Sequence, residues 1–189
     1  MSGVLGSGGT TGRNSGIVER PSISYETVEI WRVDTEATGN QDPIDNWEFA
    51  GAGNDGPAGA SVGNSYTGNA TKNMSQSSGI FTFPRVGKYL VEFCLNWYLA
   101  NAVQRFAQAT IMSTPDNSSY DKISTSSGNT SMSTTSVHSS AVCMGIIDCT
   151  NTALIKVQFK SSFASSSTVM WSSAQENVTY VKFMRLGDV

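Results

Sequence analysis

The sequence predicts an all-β chain built as a sandwich or barrel, and three observations carry this. Short apolar stretches alternate with period two, turn signals recur between them, and no stretch shows the 3.6-residue apolar period of an amphipathic helix. The clearest stretch is residues 79–99, Gly-Ile-Phe-Thr-Phe-Pro-Arg-Val-Gly-Lys-Tyr-Leu-Val-Glu-Phe-Cys-Leu-Asn-Trp-Tyr-Leu. It reads as a short strand, a Pro-x-x-Gly turn and a long strand. Tyr89, Val91, Phe93, Leu95, Trp97 and Leu99 share one face of that strand, because side chains alternate across it. On the other face Lys88, Glu92 and Asn96 stand beside Leu90, Cys94 and Tyr98. Such a mixed face is expected where a sheet is partly covered by another subunit.

The other elements follow in chain order. Residues 1–24 are rich in Gly, Ser and Thr and carry no periodic apolar pattern, so they read as an arm, with residues 25–189 as one β domain. Tyr25–Val33 alternates and is the first strand. Asp34–Asp45 is turn-rich, and Trp47 and Phe49 mark a brief strand. Residues 50–63 are a Gly/Ala loop without the every-third glycine of collagen. Residues 64–78 are polar with one short strand. After the 79–99 unit comes a strand over Val103–Ser113. Thr114–Thr135 is so rich in Ser, Thr, Asn and Gly that it reads as a long exposed loop with one short strand. Ser136–Asp148 alternates in part, grouping Val142, Met144 and Ile146. Ala153–Phe163 sets Ile155, Val157, Phe159 and Phe163 against Lys156, Gln158 and Lys160. Val178–Leu186 is apolar on both faces, as expected of a strand with the core on one side and a subunit interface on the other.

Composition narrows the function classes. The 189 residues suffice for one sizeable core. Only 14% are charged, the net charge is −3, and Ser, Thr, Asn and Gly supply the remaining polarity. This uncharged surface suits extracellular or virion β proteins. Without a basic patch, the footprint of nucleic-acid binding is missing, and nothing attracts an anionic membrane. The start Met1-Ser-Gly-Val-Leu-Gly lacks the basic and apolar regions of a secretory signal, and no run of about twenty apolar residues would span a bilayer. The expectation is a protein made in a cytoplasm and carried elsewhere by assembly. The three cysteines, Cys94, Cys143 and Cys149, are a poor disulfide framework. Cys94 reads as a small core residue. A Cys143–Cys149 bridge is open in principle, but the reducing compartment argues against it.

Chemistry is sparse. The one histidine, His138, lies among serines and reads as a surface or loop residue. A Ser-His-Asp triad would rest only on the abundance of serine, since no Gly-x-Ser-x-Gly elbow exists. Cys143 near His138 reads as a buried structural thiol rather than a nucleophile. Asp34/Glu36 and Asp42/Asp45 lie in a turn-rich connection, where solvated acids are the plain reading and a loop calcium site the rival. The Gly6–Gly12 run follows no strand and lacks a Gly-Lys-Ser/Thr ending, so it is no phosphate loop. Asn-x-Ser/Thr triplets at Asn69, Asn73, Asn117, Asn129 and Asn177 reflect Asn/Ser/Thr richness rather than sugar attachment. No catalytic residue, cofactor or metal ligand is expected, and the protein is read as a non-enzyme.

Phe81, Phe83, Pro84, Gly87, Tyr89 and Phe93 together resemble the signature of the tumour-necrosis-factor-like jelly roll, in the style of the globular head of the first complement component. Thr179–Leu186 resembles that family's last strand, which runs along a trimer axis. The resemblance is close over 79–99 and loose over 25–189. It implies a jelly-roll β-sandwich, a homotrimer and no enzymatic activity, with Tyr98, Tyr180 and Met184 as interface candidates. The Gly/Ser arm and the uncharged surface look like structural proteins of tailed bacteriophages. That likeness implies a virion location as a capsid decoration or head-fibre protein. The arm, through Val4, Leu5, Ile17 and Val18, would then hold the major capsid protein or a neighbouring virion protein. The alternative is a tail-fibre receptor-binding module that takes a host-surface glycan or protein at loop aromatics Tyr66 and Tyr120.

Overall fold

A computed structural model describes residues 28–50, 73–100, 104–131, 135–174 and 176–189. Among these the chain forms only strands: β1 (Val28–Val33), β2 (Ala37–Thr38), β3 (Trp47–Phe49), β4 (Ser75–Ser77), β5 (Ile80–Thr82), β6 (Gly87–Leu99), β7 (Gln104–Thr114), β8 (Asp121–Thr130), β9 (Val137–Cys149), β10 (Lys156–Phe163), β11 (Val169–Met170) and β12 (Tyr180–Gly187). They make two antiparallel sheets. In the first, β6 is central: β9 pairs along one side of it, and β12 and β11 divide the other side. The order then continues from β12 through β1 to β3, and from β11 to β2. The second sheet runs β4-β5-β10-β7-β8. Neighbours distant in sequence, such as β1 beside β12, are the crossings of a jelly-roll sandwich.

The core forms where the inner faces meet. Tyr89, Val91, Phe93, Leu95, Trp97 and Leu99 are all buried, as their alternation requires. Val157, Phe159 and Phe163 of β10 and Phe81 of β5 face them from the second sheet, and Val181 and Phe183 of β12 lie beside them in the first. Phe159 lies at the centre, its ring 5.3 Å from Phe93, 5.5 Å from Phe81 and 5.6 Å from Trp47. Tilted and edge-on ring pairs of this kind add about 0.5–1.5 kcal/mol each beyond area burial. The β4–β5 hairpin turns at Ser78 and Gly79, whose φ angles are 50° and 79°. A tight antiparallel hairpin needs such left-handed residues, and a Cβ at Gly79 would lie 2.3 Å from the Ile44 carbonyl oxygen.

One sequence expectation is corrected. Residues 121–130 are a full ten-residue strand, β8, where the sequence predicts a long exposed loop with one short strand. Most of the strand is exposed, and at Gly128 the facing sheet comes close. A Cβ on Gly128 would lie 2.9 Å from Cη2 of Trp97, so nothing larger fits, and Thr125 Oγ1 sits 3.0 Å from both Thr110 Oγ1 and the Ala109 carbonyl oxygen. The bridge that the sequence argues against is absent: Cys143 and Cys149 are buried free thiols six residues apart on one extended strand. Cys94 is buried as expected, but on the outer face of β6, where it pairs across the sheet with Tyr180 and takes a 3.3 Å hydrogen bond from the Asn96 amide.

Candidate functional site

The outer face of the first sheet carries the feature that the core does not explain. Small residues of β9, Ala141 and Cys143, turn inward against Ala107 and Ala109 of β7, and the Cys143 thiol reaches the Ala109 carbonyl oxygen at 3.5 Å. Period two then forces the larger apolar residues outward. Val142, Met144 and Ile146 are 46%, 56% and 61% exposed. Register places them in rows across the sheet. Ile146, Leu90, Met184 and Val28 form one row. Met144, Glu92, Lys182 and Ile30 form the next, and Val142, Cys94, Tyr180 and the buried Arg32, whose guanidinium pairs with Glu48, the third.

The charges in this apolar field are paired with each other. Lys182 Nζ donates to Glu92 at 2.6 Å, and the Tyr180 hydroxyl donates to the same carboxylate at 3.2 Å. Burial, followed by the nearby Cys94 and Glu92, pushes the Tyr180 phenol well above its ordinary range. Burial likewise raises the Cys94 thiol and holds that of Cys143 up to about 11. None of these groups is activated for nucleophilic chemistry, which needs a lowered pKa or an adjacent base. Among the described residues no three His, Cys, Asp or Glu side chains gather as a metal site would require. Asp42 pairs with Lys160 instead of joining Asp45.

An open groove of about 250 Å³ borders the apolar rows. Ile123, Ile146, Ile147 and Ile155 line it, with Asp121 and Asp148 at its edge. Ile123 of β8 reaches across to β9, where a Cβ on Gly145 would come within 2.9 Å of it.

The sequence-derived candidates distribute unevenly over this face. Tyr180 and Met184 fall within the apolar rows, while Tyr98 lies on the same face in an end row opposite His138. The Tyr98 hydroxyl donates to Glu36 at 2.9 Å, and this bond leads the causes that raise its phenol. Tyr120 is half-buried just before β8, its hydroxyl sheltered and its phenol raised by burial. Val4, Leu5, Ile17, Val18 and Tyr66 lie outside the described residues. Sequence reasoning missed the exposure of Val142, Met144 and Ile146. The available signal was the size contrast along β9, since Ala, Cys and Gly alternate there with Val, Met and Ile.

No protein-family model and no curated protein matches the sequence. Solved structures do. The Eiger TNF of S. frugiperda superposes with a TM-score of 0.56 at 12% identity, over 86% of this chain and 94% of that chain. Murine APRIL at pH 5.0 follows with 0.53 at 11% identity, over 85% and 98%. At such identities the likeness concerns the fold, and the fold is the TNF-like jelly roll.

Proposed function

We propose that this chain is a non-enzymatic structural protein of a virion, a homotrimeric capsid decoration or head-fibre component held to the particle by its N-terminal arm. The observation that carries the reading is the apolar outer face of β9, β6 and β12. Isolated exposed apolar residues are ordinary, but contiguous rows on a sheet face mark an interaction surface. A second and third copy of the chain are the occupants that fit. Closed symmetry lets the same face meet its neighbours without leaving an apolar remainder, and interfaces between like subunits are more apolar than the general surface and enriched in Met and Tyr. The resemblance to trimeric jelly rolls supports the same arrangement, with Tyr180 and Met184 as anchors and Tyr98 at the rim. The virion location draws its support from the low charge, the Ser/Thr/Asn surface and the Gly/Ser arm. Residues 1–24 would grip a capsid or neighbouring protein by strand addition, which relies on main-chain hydrogen bonds and asks little of side chains.

The test is the solution mass of the chain with and without residues 1–24, joined to a particle-binding assay. The expected result is three times the 20.1 kDa of one chain for the intact protein, and a trimer again after truncation. Truncated trimers should no longer decorate particles. Truncated trimers that still decorate would remove the arm from the mechanism, and monomers in both cases would remove the trimer.

A further inference from the structure

Beyond the apolar rows, the same sheet ends in an aromatic corner that assembly of the core does not require. The His138 ring centroid is 5.2 Å from that of Tyr98 and 4.5 Å from that of Trp171, so the three rings form one continuous arc. His138 is exposed, while Tyr98 and Trp171 are half-buried. The rings come from three distant parts of the chain. Tyr98 is the last residue but one of β6, His138 the second of β9, and Trp171 follows β11, where its backbone amide donates to the Asn96 carbonyl at 2.9 Å. Glu36 completes the corner, positioned by the bond from the Tyr98 hydroxyl.

We propose that this corner binds a pyranose ring of a neutral glycan. Two properties select that chemistry. The first is an aromatic surface open to water, against which the C–H face of a sugar ring packs; Tyr and Trp suit sites that are apolar at one end and wet at the other. The second is a set of unspent polar atoms beside it. Among the described residues, the His138 ring nitrogens, the Trp171 indole N–H and the Glu36 Oε1 oxygen make no hydrogen bond. Together they offer donors and acceptors beside the aromatic faces, which is what the hydroxyls around a sugar ring need. The ring planes are inclined, at 41° between Tyr98 and His138 and 61° between His138 and Trp171, so the corner presents a faceted aromatic surface with His138 at its middle. The Glu36 carboxylate disfavours acidic sugars. All four members of the corner come from a single chain.

The chain carries its own reporters. Trp31, Trp47 and Trp97 are buried at 2%, 5% and 0% exposure, leaving Trp171 as the one tryptophan that meets solvent. His138 is the only histidine. The full chain is titrated with lactose, cellotetraose, maltotriose and chitotriose while tryptophan emission and the imidazole proton resonances are followed. The expected result with at least one sugar is a saturable change in both signals, with half-saturation on the order of 1 mM, a usual affinity for a small ligand on an open site. Tyr98→Ala and Glu36→Gln should each weaken that binding about tenfold, a loss near 1.4 kcal/mol. Sialylated lactose should bind less well than lactose. Ile146→Glu, aimed at assembly, should leave binding unchanged, which separates failure of the trimer from failure of this site. The proposal is overturned if none of the four sugars gives a saturable change, if glycerol reproduces it, or if it survives both substitutions at full strength.

Discussion

Ile146→Glu is the most direct probe of the apolar face. Ile146 is 61% exposed in the single chain and shares a row with Leu90 and Met184. Burying an isoleucine completely is worth about 1.5–3 kcal/mol, so covering the exposed part contributes roughly 1–2 kcal/mol per copy. A glutamate forfeits that gain and places an unpaired carboxylate against apolar neighbours, which costs more still. Counting only about 2 kcal/mol per copy, three copies lose about 6 kcal/mol, or roughly four decades in the association constant. The single chain should scarcely notice, since exposed substitutions stay within about 0.5 kcal/mol. Light scattering over a dilution series should show monomers where the parent chain is trimeric, with an unchanged β-sheet spectrum. Ser77→Glu, exposed on β4 in the other sheet, serves as the matched control and should remain assembled. An Ile146→Glu protein that stays trimeric at the same concentrations would refute the assignment of this face.

Further outcomes follow from the interior. Phe159→Ala removes the ring that Trp47, Phe81 and Phe93 pack against, and should cost about 3–5 kcal/mol in urea unfolding; a loss below about 1 kcal/mol would contradict the packing. Gly128→Ala drives a methyl group to within 2.9 Å of Trp97 and 3.2 Å of the Ser140 carbonyl, and should cost about 1–3 kcal/mol by overpacking, read as a lowered melting temperature. The thiols give a pH signature. Burial keeps Cys143 neutral in the folded chain up to about 11, while the unfolded chain ionises it above about 9. Its contribution is therefore intact below pH 9 and lost as pH rises toward 11, so unfolding midpoints should fall across that window, and Cys143→Ala should flatten the fall. All three thiols should resist a thiol reagent until the chain unfolds.

What the sequence determined by itself was the set of strands whose burial is one-sided. Period-two alternation is local, so the inner face of β6 and the two faces of β10 were legible without a partner in view. The aromatic run around Pro84 and Gly87 carried the jelly-roll class for the same reason, because the turn and its flanking rings are contiguous. Strand β8 was not legible: most of it is exposed, and its Gly128 answers to the close approach of Trp97, which lies some thirty positions earlier in the chain and belongs to the other sheet. The outward turn of Val142, Met144 and Ile146 was hidden likewise. Alternation states which residues share a face, but only the packing of Ala141 and Cys143 against β7 decides which face is inside. The corner of Tyr98, His138, Trp171 and Glu36 depends wholly on tertiary structure, since its members come from four separate segments that pairing in the first sheet brings to one end.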